Sequence, residues 1–504
     1  MLTRTSRREF LSATGAAALA ACAGTPREDP PAKRPNILLA YADDISYPHM
    51  GAYGAKGLST PAFDRVAAEG ALFHHSYTGA PSCTPSRSCA LSGQQLYRLR
   101  EAGCLFGTFP ADIDVYPLLL EAAGYHVGHT AKGWAPGVLE PGGRTASPCG
   151  EPYNKRRYQP GEVLDGMNLN NYAENFRDFL AARPAGAPFC FWYGATEAHR
   201  KYQPGSGLAA GKKLEDVVVP EFLPDTDETR SDILDSYMEI EWFDQHLAKM
   251  LAMIEEAGEL DDTIVVVTAD NGMPFPRAKA TLYDWGVRMP LAIRWGAKVP
   301  AGKTVHSLVH HTDFAPTFLE AAGLPVPEAM TGRSLLPLLE DPDARDPGWS
   351  DFTVTAIERH AWCRPEGALY PSRMIRTPDY LYIRNYEPER WPSGDPDFQS
   401  SHQGVYGEID NGASKTFLLA NREKFPREFE LCCGKRPAEE LYQTVQDPWQ
   451  TRNLADDPAH AERKKELADR LDAYLAQTGD PRSRGESPWD DYPYYFGDLD
   501  PRKA

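Results

Sequence analysis

Short apolar runs alternate with helical patterns along most of this chain, and this alternation limits the possible folds more than any other feature. The runs are continuous, as strands are when both faces of a parallel sheet are covered. Five of them cover residues 36–41, 125–130, 189–193, 263–268 and 290–295. Residues 231–258 instead repeat apolar side chains at helical spacing along one face. The pattern predicts an α/β fold with a large, mostly parallel sheet flanked by helices.

The pattern changes after about residue 370. Residues 380–383 alternate as a short strand does, residues 387–413 are rich in Pro, Gly and Asp, and residues 459–478 favour a last helix. We therefore expect a larger domain at residues 33–370. A smaller C-terminal subdomain with a short antiparallel sheet is expected at residues 371–504.

The composition excludes several classes of protein. The 504 residues are 42% hydrophobic and 25% charged, which is not the composition of a disordered polymer, a coiled coil or a collagen-like chain. Lys and Arg number 53 against 71 Asp and Glu, so the formal net charge is −18. This balance argues against a nucleic-acid partner, which requires a basic face. Any anionic ligand must therefore be bound in a local basic pocket.

Residues 1–22 have the pattern of an export signal. Arg7 and Arg8 form a twin-arginine pair, and the apolar stretch at residues 11–21 is too short to span a bilayer. Residues 19–22 resemble a lipoprotein signal, which would leave Cys22 lipidated; the alternative is an ordinary cleaved signal peptide. We expect a protein in the periplasm or on the outer surface, in contact with the membrane through no more than a lipid on Cys22.

Acidic residues follow two of the predicted strands. Asp43 and Asp44 come after the first strand, and Asp270 and Asn271 come after the fourth. Ligands of open parallel sheets bind beyond the carboxyl ends of the strands. A single Asp-Asp pair is often a turn or a cap, but two acidic pairs at equivalent ends suggest a cage of oxygens. Such a cage suits Ca²⁺, or Mg²⁺, better than zinc.

The sharpest motif is Cys83-Thr84-Pro85-Ser86-Arg87, which opens a short predicted helix that ends at Gly93. Cys83 thus lies at a helix N-terminus, where free amides and the helix dipole favour an anion. Arg87, one turn further on, would present its guanidinium to the same place. Without further context, a buried Cys beside a capped helix explains the motif equally well.

This motif resembles the Cys-x-Pro-x-Arg signature of the type I sulfatases. Other segments resemble the family in the same order along nearly the whole chain after the export signal. They include residues 34–44, 59–65, 268–272, 286–291, 312–317 and 440–454. Residues 270–276, Asp-Asn-Gly-Met-Pro-Phe-Pro, are most similar to the sulfamidase (heparan N-sulfatase) branch. The resemblance implies the alkaline-phosphatase-like sulfatase fold.

The resemblance also implies a set of site residues. Ca²⁺ would be bound by Asp43, Asp44, Asp270, Asn271 and modified Cys83. A formylglycine-generating enzyme would oxidise Cys83 to Cα-formylglycine, whose hydrate attacks sulfur with one oxygen and expels sulfate with the help of the other. Arg87, Lys132 and Lys279 would neutralise charge on the sulfate oxygens, and His199 would protonate the leaving group.

One position departs from the family pattern. Relatives commonly have Lys-x-His where this chain has Lys132-Gly133-Trp134, so the histidine that contacts the formylglycine is missing. His129 or a histidine from elsewhere in the chain is a candidate replacement, and Trp134 is a candidate for shaping the pocket.

Substrate contacts are expected from Glu197, Arg200 and His360, each of which is equally well explained as a structural polar residue. Arg98 and Arg100, which follow the signature helix, are further candidates for binding extra sulfates or a uronate.

The sequence therefore predicts an exported enzyme that hydrolyses sulfate esters or sulfamates on a sulfated carbohydrate and releases inorganic sulfate. N-sulfoglucosamine is one candidate substrate, and O-sulfated algal or host glycans are the other. Two alternatives remain: a phosphonate or phosphate ester hydrolase of the same superfamily, and an inactive protein that binds sulfated glycans.

The twin-arginine assignment can be tested by changing Arg7→Lys and Arg8→Lys together. We expect the double variant to accumulate in the cytoplasm, because that export route depends on the arginine pair. Fractionation of the producing cells measures the outcome, with a conservative change outside the pair, Thr5→Ser, as the control. Unchanged export of the double variant would show that another route is used.

Overall fold

A computed structural model describes residues 33–341, 349–401 and 403–503. Its main sheet has nine strands in the order β4-β3-β5-β1-β6-β7-β2-β8, with β9 paired to β2. These strands are β1 Asn36–Ala42, β2 Ala71–Tyr77, β3 His126–Ala131, β4 Glu151–Pro152, β5 Phe189–Gly194, β6 Thr263–Ala269, β7 Arg288–Arg294, β8 Lys303–Val305 and β9 Val309–His310. The export signal proposed for residues 1–22 lies outside the described residues.

A second, antiparallel sheet has four strands in the order β10-β11-β12-β13. They are β10 Thr353–Ile357, β11 Ser372–Arg376, β12 Tyr380–Asn385 and β13 Glu439–Gln443. β10 precedes residue 371, where the sequence pattern placed the start of the C-terminal subdomain. The second sheet therefore draws on both sides of that predicted boundary.

Twelve α-helices accompany the sheets in the described residues, together with short 3₁₀ turns. They are α1 Pro61–Ala68, α2 Cys83–Ser92, α3 Tyr116–Ala122, α4 Tyr172–Ala182, α5 Ser206–Ala209, α6 Asp227–Glu256, α7 Asp284–Val287, α8 Phe314–Ala321, α9 Leu336–Glu340, α10 Ala413–Ala420, α11 Pro426–Cys433 and α12 Ala461–Thr478. In the described part of the chain, no helix has the length and apolar character needed to cross a bilayer.

The centre of the main sheet explains the continuous apolar runs. Strands β3, β5, β1 and β6 are parallel neighbours, and alternate side chains of β1 enter two different cores. Ile37, Leu39 and Tyr41 pack on one side of the sheet, and Leu38 and Ala40 pack on the other. Because both faces are covered, the strand has no polar face, as the sequence predicted. The mostly parallel α/β sheet is thus confirmed, although β7 runs antiparallel to β6.

Helix α6 covers one face of this sheet. Its first turn is capped by the Thr226 side chain, which accepts a hydrogen bond from the amide of Thr229. The apolar stripe predicted from helical spacing is buried along its whole length, from Ile233 to Ile254. Burying one such side chain stabilises the fold by roughly 1.5–3 kcal/mol, so the stripe fixes this helix against the strands.

Buried ions join the second sheet to the C-terminal helix region. Arg373 on β11 is fully buried and donates to Asp480 at 2.7 Å and to Glu358 at 2.6 Å. Arg482 also pairs with Glu358, at 2.6 Å. Removing the central cation would leave carboxylates buried with too few partners.

We therefore predict that Arg373→Met lowers the free energy of unfolding by about 3–5 kcal/mol. The matched control is Arg384→Met on the neighbouring strand, because Arg384 pairs with the exposed Asp472 and should cost only about 0–1 kcal/mol. Urea denaturation followed by circular dichroism measures both values. Equal losses for the two variants would mean that the buried cluster does not stabilise the fold.

Candidate active site

The candidate site lies at the carboxyl ends of the four parallel central strands. Asp43 and Asp44 follow β1, and Asp270 and Asn271 follow β6, which pairs with β1 up to Ala42 opposite Ala269. The amide of Asp44 donates to Asp270 Oδ1 at 3.1 Å. The convergence predicted from the two acidic pairs is therefore present in the structure.

The acidic groups at these strand ends could hold a cation. One ligand atom from each of Asp43, Cys83 and Asp270 lies within 4.8 Å of the others, and all three residues are buried. Asn271 Nδ2 donates to Asp44 Oδ1 at 2.6 Å, whereas Asn271 Oδ1 is buried with no hydrogen-bond partner in the described residues. An unpaired buried oxygen is costly unless a ligand satisfies it. The carboxylate oxygens of Asp43 and Asp270 and the amide oxygen of Asn271 fit a divalent cation held by oxygen atoms, whereas the unmodified thiol of Cys83 does not.

Cys83 is the first residue of α2, as predicted, and is 2% exposed. Its Sγ lies 3.4 Å from Asp43 Oδ1. Burial, followed by the charge of Asp43, raises the pKa of the Cys83 thiol well above its usual value. The unmodified residue is thus a neutral thiol at neutral pH, and a neutral thiol is a poor nucleophile.

Three cations surround this acidic group. Arg87 is fully buried; its Nε donates to Asp270 Oδ2 at 2.8 Å, and its Nη1 donates to the carbonyl of Lys132 at 2.6 Å. Lys132, just after β3, forms an ion pair with Asp43. Lys279 Nζ lies 2.8 Å from Asp44 Oδ2. The structure therefore brings together the three cations that the sequence assigned to the sulfate oxygens.

The carboxylates respond differently to this environment. Burial opposes the ionisation of Asp43, but Lys132 and then His199 hold the pKa of Asp43 well below its usual range. Burial and the charge of Asp43 raise the pKa of Asp270 to about 6. Burial also raises the pKa of Asp44, although Lys279 opposes the shift. A bound cation would favour the ionised form of all three.

His199 lies beside Asp43 because the loop after β5 is bonded to the end of β1. Asp43 N donates to the carbonyl of Glu197 at 2.9 Å, and Ala198 N donates to the carbonyl of Asp43 at 2.6 Å. His199 Nδ1 lies 2.6 Å from the carbonyl of Arg200, so Nδ1 carries the proton. Burial, followed by the charge of Lys279, lowers the pKa of His199 to about 4.

Asp410 is a site residue that the sequence analysis missed. Its Oδ2 lies 2.9 Å from Lys279 Nζ, and its Oδ1 accepts a hydrogen bond from Gln403 Nε2 at 2.7 Å. It forms a second cluster of possible ligand atoms with Asp44 and His199. Asp410 lies in the stretch rich in Pro, Gly and Asp at residues 387–413, where one more Asp carried no signal.

A cavity of about 560 Å³ opens onto the site. Asp43, Lys132 and His199 contribute to its wall, as does the exposed Arg157, another residue that the sequence analysis missed. Of the three cations, Lys132 borders this space, so a substrate in the cavity would reach the site on the side of Asp43, Lys132 and His199.

The predicted substrate-binding residues have partners within the protein. Glu197 accepts hydrogen bonds from Asn168 N at 2.9 Å and from the Tyr172 hydroxyl at 2.7 Å. Arg200 makes two 2.7 Å hydrogen bonds to Asp232. Both nevertheless line the cavity, so their contact with substrate stays a prediction.

His360 is 5% exposed, and its Nδ1 lies 2.8 Å from Ser82 Oγ, next to Cys83 in the chain. His360, which was expected to contact the substrate, thus lies close to the signature helix and fits the unspecified histidine from elsewhere in the chain. His129 Nδ1 instead lies 3.1 Å from the carbonyl of Gly150. The Trp134 indole donates to Ser88 Oγ on the inner side of the helix, at 2.8 Å.

The two arginines that are candidates for binding extra sulfates or a uronate also have partners within the protein. Arg98 Nη1 donates to the carbonyl of Thr478 at 2.8 Å, and Arg100 pairs with the exposed Asp112.

Comparison with known proteins identifies the family. Residues 35–324, more than half of the chain, match the family model described as Sulfatase. The chain belongs to the sulfatase family. Residues 277–393 also match the model described as N-sulphoglucosamine sulphohydrolase, C-terminal. The chain is thus a sulfuric ester hydrolase, as its motifs predicted.

Individual relatives agree with this family. Human N-sulphoglucosamine sulphohydrolase is 28% identical over 491 residues, which cover 88% of this chain and 91% of the human protein. An ulvan-active sulfatase from Formosa agariphila is 28% identical over 461 residues, with coverage of 89% and 81%. A protein solved in complex with its substrate D-glucosamine-2-N,6-O-disulfate has the same fold, with a TM-score of 0.62, 20% identity and coverage of 90% and 100%. The predicted sulfatase fold is therefore confirmed.

The metal site can be tested through thermal unfolding in Ca²⁺. A cation that binds the folded state alone raises the unfolding temperature, and Asn271→Ala removes the unpaired oxygen. We expect this variant to need at least about ten times more Ca²⁺ for half of the stabilisation.

The matched control is Asn175→Ala, because Asn175 is an equally buried amide that bonds to the backbone of Arg156. This variant should keep the Ca²⁺ dependence of the parent protein. An unchanged Ca²⁺ dependence of Asn271→Ala would place the cation elsewhere.

Proposed function

We propose that this sulfatase removes sulfate from a sulfated carbohydrate after Cys83 has been converted to Cα-formylglycine. The observation that carries the proposal is the position of Cys83, buried at the N-terminus of α2 between a possible cation site and three cationic side chains. A hydrated aldehyde at residue 83 would supply the oxygen nucleophile that a protonated, buried thiol cannot.

The cation would be held by Asp43, Asp44, Asp270 and Asn271 together with residue 83. We propose Ca²⁺, with Mg²⁺ as the alternative, because every protein ligand is an oxygen. Bound there, the cation would supply Lewis-acid polarisation of a sulfate oxygen.

The other side chains of the site would bind the sulfate group and fix the nucleophile. The ammonium groups of Lys132 and Lys279 lie at the site and would neutralise the charge that spreads over the sulfate oxygens. Arg87 holds Asp270 and the carbonyl of Lys132, and it would thereby fix the nucleophile against the acidic group.

His199 is the candidate proton donor to the leaving oxygen or nitrogen. It is neutral in the structure because burial and Lys279 lower its pKa. A bound sulfate is anionic and opposes both effects, so substrate binding would favour the protonated imidazolium. Its Nδ1 is oriented by the carbonyl of Arg200, which leaves Nε2 to carry the transferred proton.

N-sulfoglucosamine is the first candidate substrate, since residues 277–393 match the model named for the C-terminal part of its hydrolase and the human relative bears the same name. The ulvan-active relative supports O-sulfated polysaccharides as the second candidate. The side chains that line the cavity are compatible with either class.

The enzyme would act outside the cytoplasm, after maturation and export. We propose export through residues 1–22 by the twin-arginine route, with modification of Cys83 by a formylglycine-generating enzyme before folding. Burial of Cys83 in the folded protein supports this order, since a folded site would exclude a second enzyme. Lipidation of Cys22 would anchor the exported enzyme to the membrane.

The activity is tested by sulfate release from protein produced together with a formylglycine-generating enzyme. The substrates are N-sulfoglucosamine, O-sulfated amino sugars and ulvan oligosaccharides, with a phosphonate monoester as the alternative. We expect release from at least one sulfated sugar, and loss of more than about 99% of it in Cys83→Ala. Activity of Cys83→Ala near that of the parent would disprove the nucleophile, and exclusive phosphonate hydrolysis would favour the alternative activity.

The cations are tested by Lys279→Ala, for which we expect kcat/KM to fall about 100-fold because a charge facing the transition state is lost. Lys212→Ala is the matched control, since Lys212 is also largely buried and pairs with a carboxylate, Glu241, outside the site. If both variants lose activity equally, Lys279 acts through stability and not through sulfate.

A further inference from the structure

A second cavity, of about 420 Å³, is lined in part by Tyr47, Pro48 and His49, which follow Asp43 and Asp44 closely in the chain. None of the residues that line it also lines the cavity of the candidate active site. Ser46 lies between the two regions: its Oγ donates to the carbonyl of Trp285 at 2.6 Å and accepts from Met273 N at 2.9 Å. The volume falls within the range of small-molecule sites.

Aromatic rings form much of the wall of this second cavity. Trp285 and Trp449 are stacked with their centroids 5.5 Å apart and their planes at 23°. Tyr47 and Tyr53 lie with centroids 4.4 Å apart. Such rings offer flat, polarisable surfaces against which the C–H face of a ring-shaped ligand can pack.

Two largely buried side chains present polar atoms to this cavity. His49 is 4% exposed and Tyr237 is 3% exposed, and both line the cavity. In the described part of the chain, no hydrogen-bond partner reaches either ring nitrogen of His49 or the hydroxyl of Tyr237. These polar atoms are not among those sealed from solvent, so they are open to the cavity and could bond to a ligand that bears hydroxyl groups.

His49 offers both kinds of hydrogen bond. Burial lowers the pKa of His49 to about 4, so the ring is neutral at neutral pH. One of its nitrogens then donates and the other accepts. Its ring meets Tyr237 and Trp285 edge to face, with centroids 5.3 and 5.5 Å apart, which fixes its orientation towards the cavity.

The charges around the cavity do not favour an anion. Asp284 is bound by Arg376 through two contacts of 3.1 Å, and Arg288 donates to the carbonyl of His74 at 2.8 Å. At the rim, the exposed Lys56 is accompanied by Glu215 and Asp216. A sulfated ring would meet more negative than positive charge there.

From these observations we infer that the second cavity binds an uncharged pyranose ring. The aromatic wall would pack against the face of the ring, and His49 and Tyr237 would bond to its hydroxyl groups. The inference does not depend on the chemistry proposed at residue 83. It gives the protein a non-catalytic carbohydrate site, which would hold an unsulfated unit of a glycan.

The test uses methyl N-acetyl-β-glucosaminide as the probe and the Cys83→Ala protein, with inorganic sulfate present to occupy the cations of the active site. Binding is measured by calorimetry and by saturation-transfer NMR. We expect Trp449→Ala to weaken binding by at least about tenfold. Tyr237→Phe, which keeps the ring and removes the hydroxyl, should weaken it about 3- to 10-fold.

Trp391→Ala is the control, because Trp391 is another half-buried tryptophan that lies outside the cavity. It should bind the probe as the parent does. In the Cys83-containing enzyme, sulfate release from a monosaccharide should be unchanged by Tyr237→Phe, which separates this site from the proposed activity.

Absence of binding to the parent protein would overturn the inference. So would equal affinity in Trp449→Ala, Tyr237→Phe and Trp391→Ala. Tighter binding of a sulfated analogue that depends on Trp449 would overturn the assignment of an uncharged ring.

Discussion

Asp43, Asp44 and Asp270 are buried side by side at the carboxyl ends of β1 and β6, and the other charged residues of the site compensate for this arrangement. Neighbouring carboxylates repel each other, and burial removes the water that would otherwise screen their charges. Arg87, Lys132 and Lys279 supply the compensating charge. A helix, a strand end and a long loop must therefore reach one point, and the fold around the sheet brings them there.

This arrangement resolves an apparent conflict in the composition. The chain carries a net charge of −18, yet a sulfatase must bind an anion. Each of the three cations of the site is paired with a carboxylate, so together they do not make the surface basic. A divalent cation among the carboxylates would supply the excess positive charge that sulfate requires.

Much of the fold and of the site could be predicted from the sequence, wherever a short segment carries the pattern of a strand, a helix or a motif. The strands before Asp43 and Asp270 were predicted because both of their faces are apolar, and α6 was predicted because its buried stripe keeps helical spacing. The helix at Cys83 was predicted from its N-terminal residues and from Gly93, which ends it with φ of 65°. Because parallel strands end at the same edge of the sheet, the sequence also predicted that the residues after β1 and after β6 lie close together.

The missed features depend on contacts between distant segments. Asp410 lies in an irregular loop with no periodicity, and only the folded chain shows that it pairs with Lys279. The strand Ala71–Tyr77 contains His74, His75 and Ser76, which obscure its apolar character, and it pairs with the antiparallel β7. The internal partners of Glu197 and Arg200 were likewise invisible, because a sequence does not show which charges meet.

The contacts of Asp410 and of its neighbour Ser414 also bear on how such a protein can change over generations. Ser414 donates to Asp232 on α6 through both its amide and its hydroxyl, and Asp232 holds Arg200. The last quarter of the chain thus supplies one ionic partner to the site and anchors another. Recombination that exchanged this part for an unrelated one would remove charges from the site. The two parts of the chain must therefore be inherited together if the site is to keep these charges.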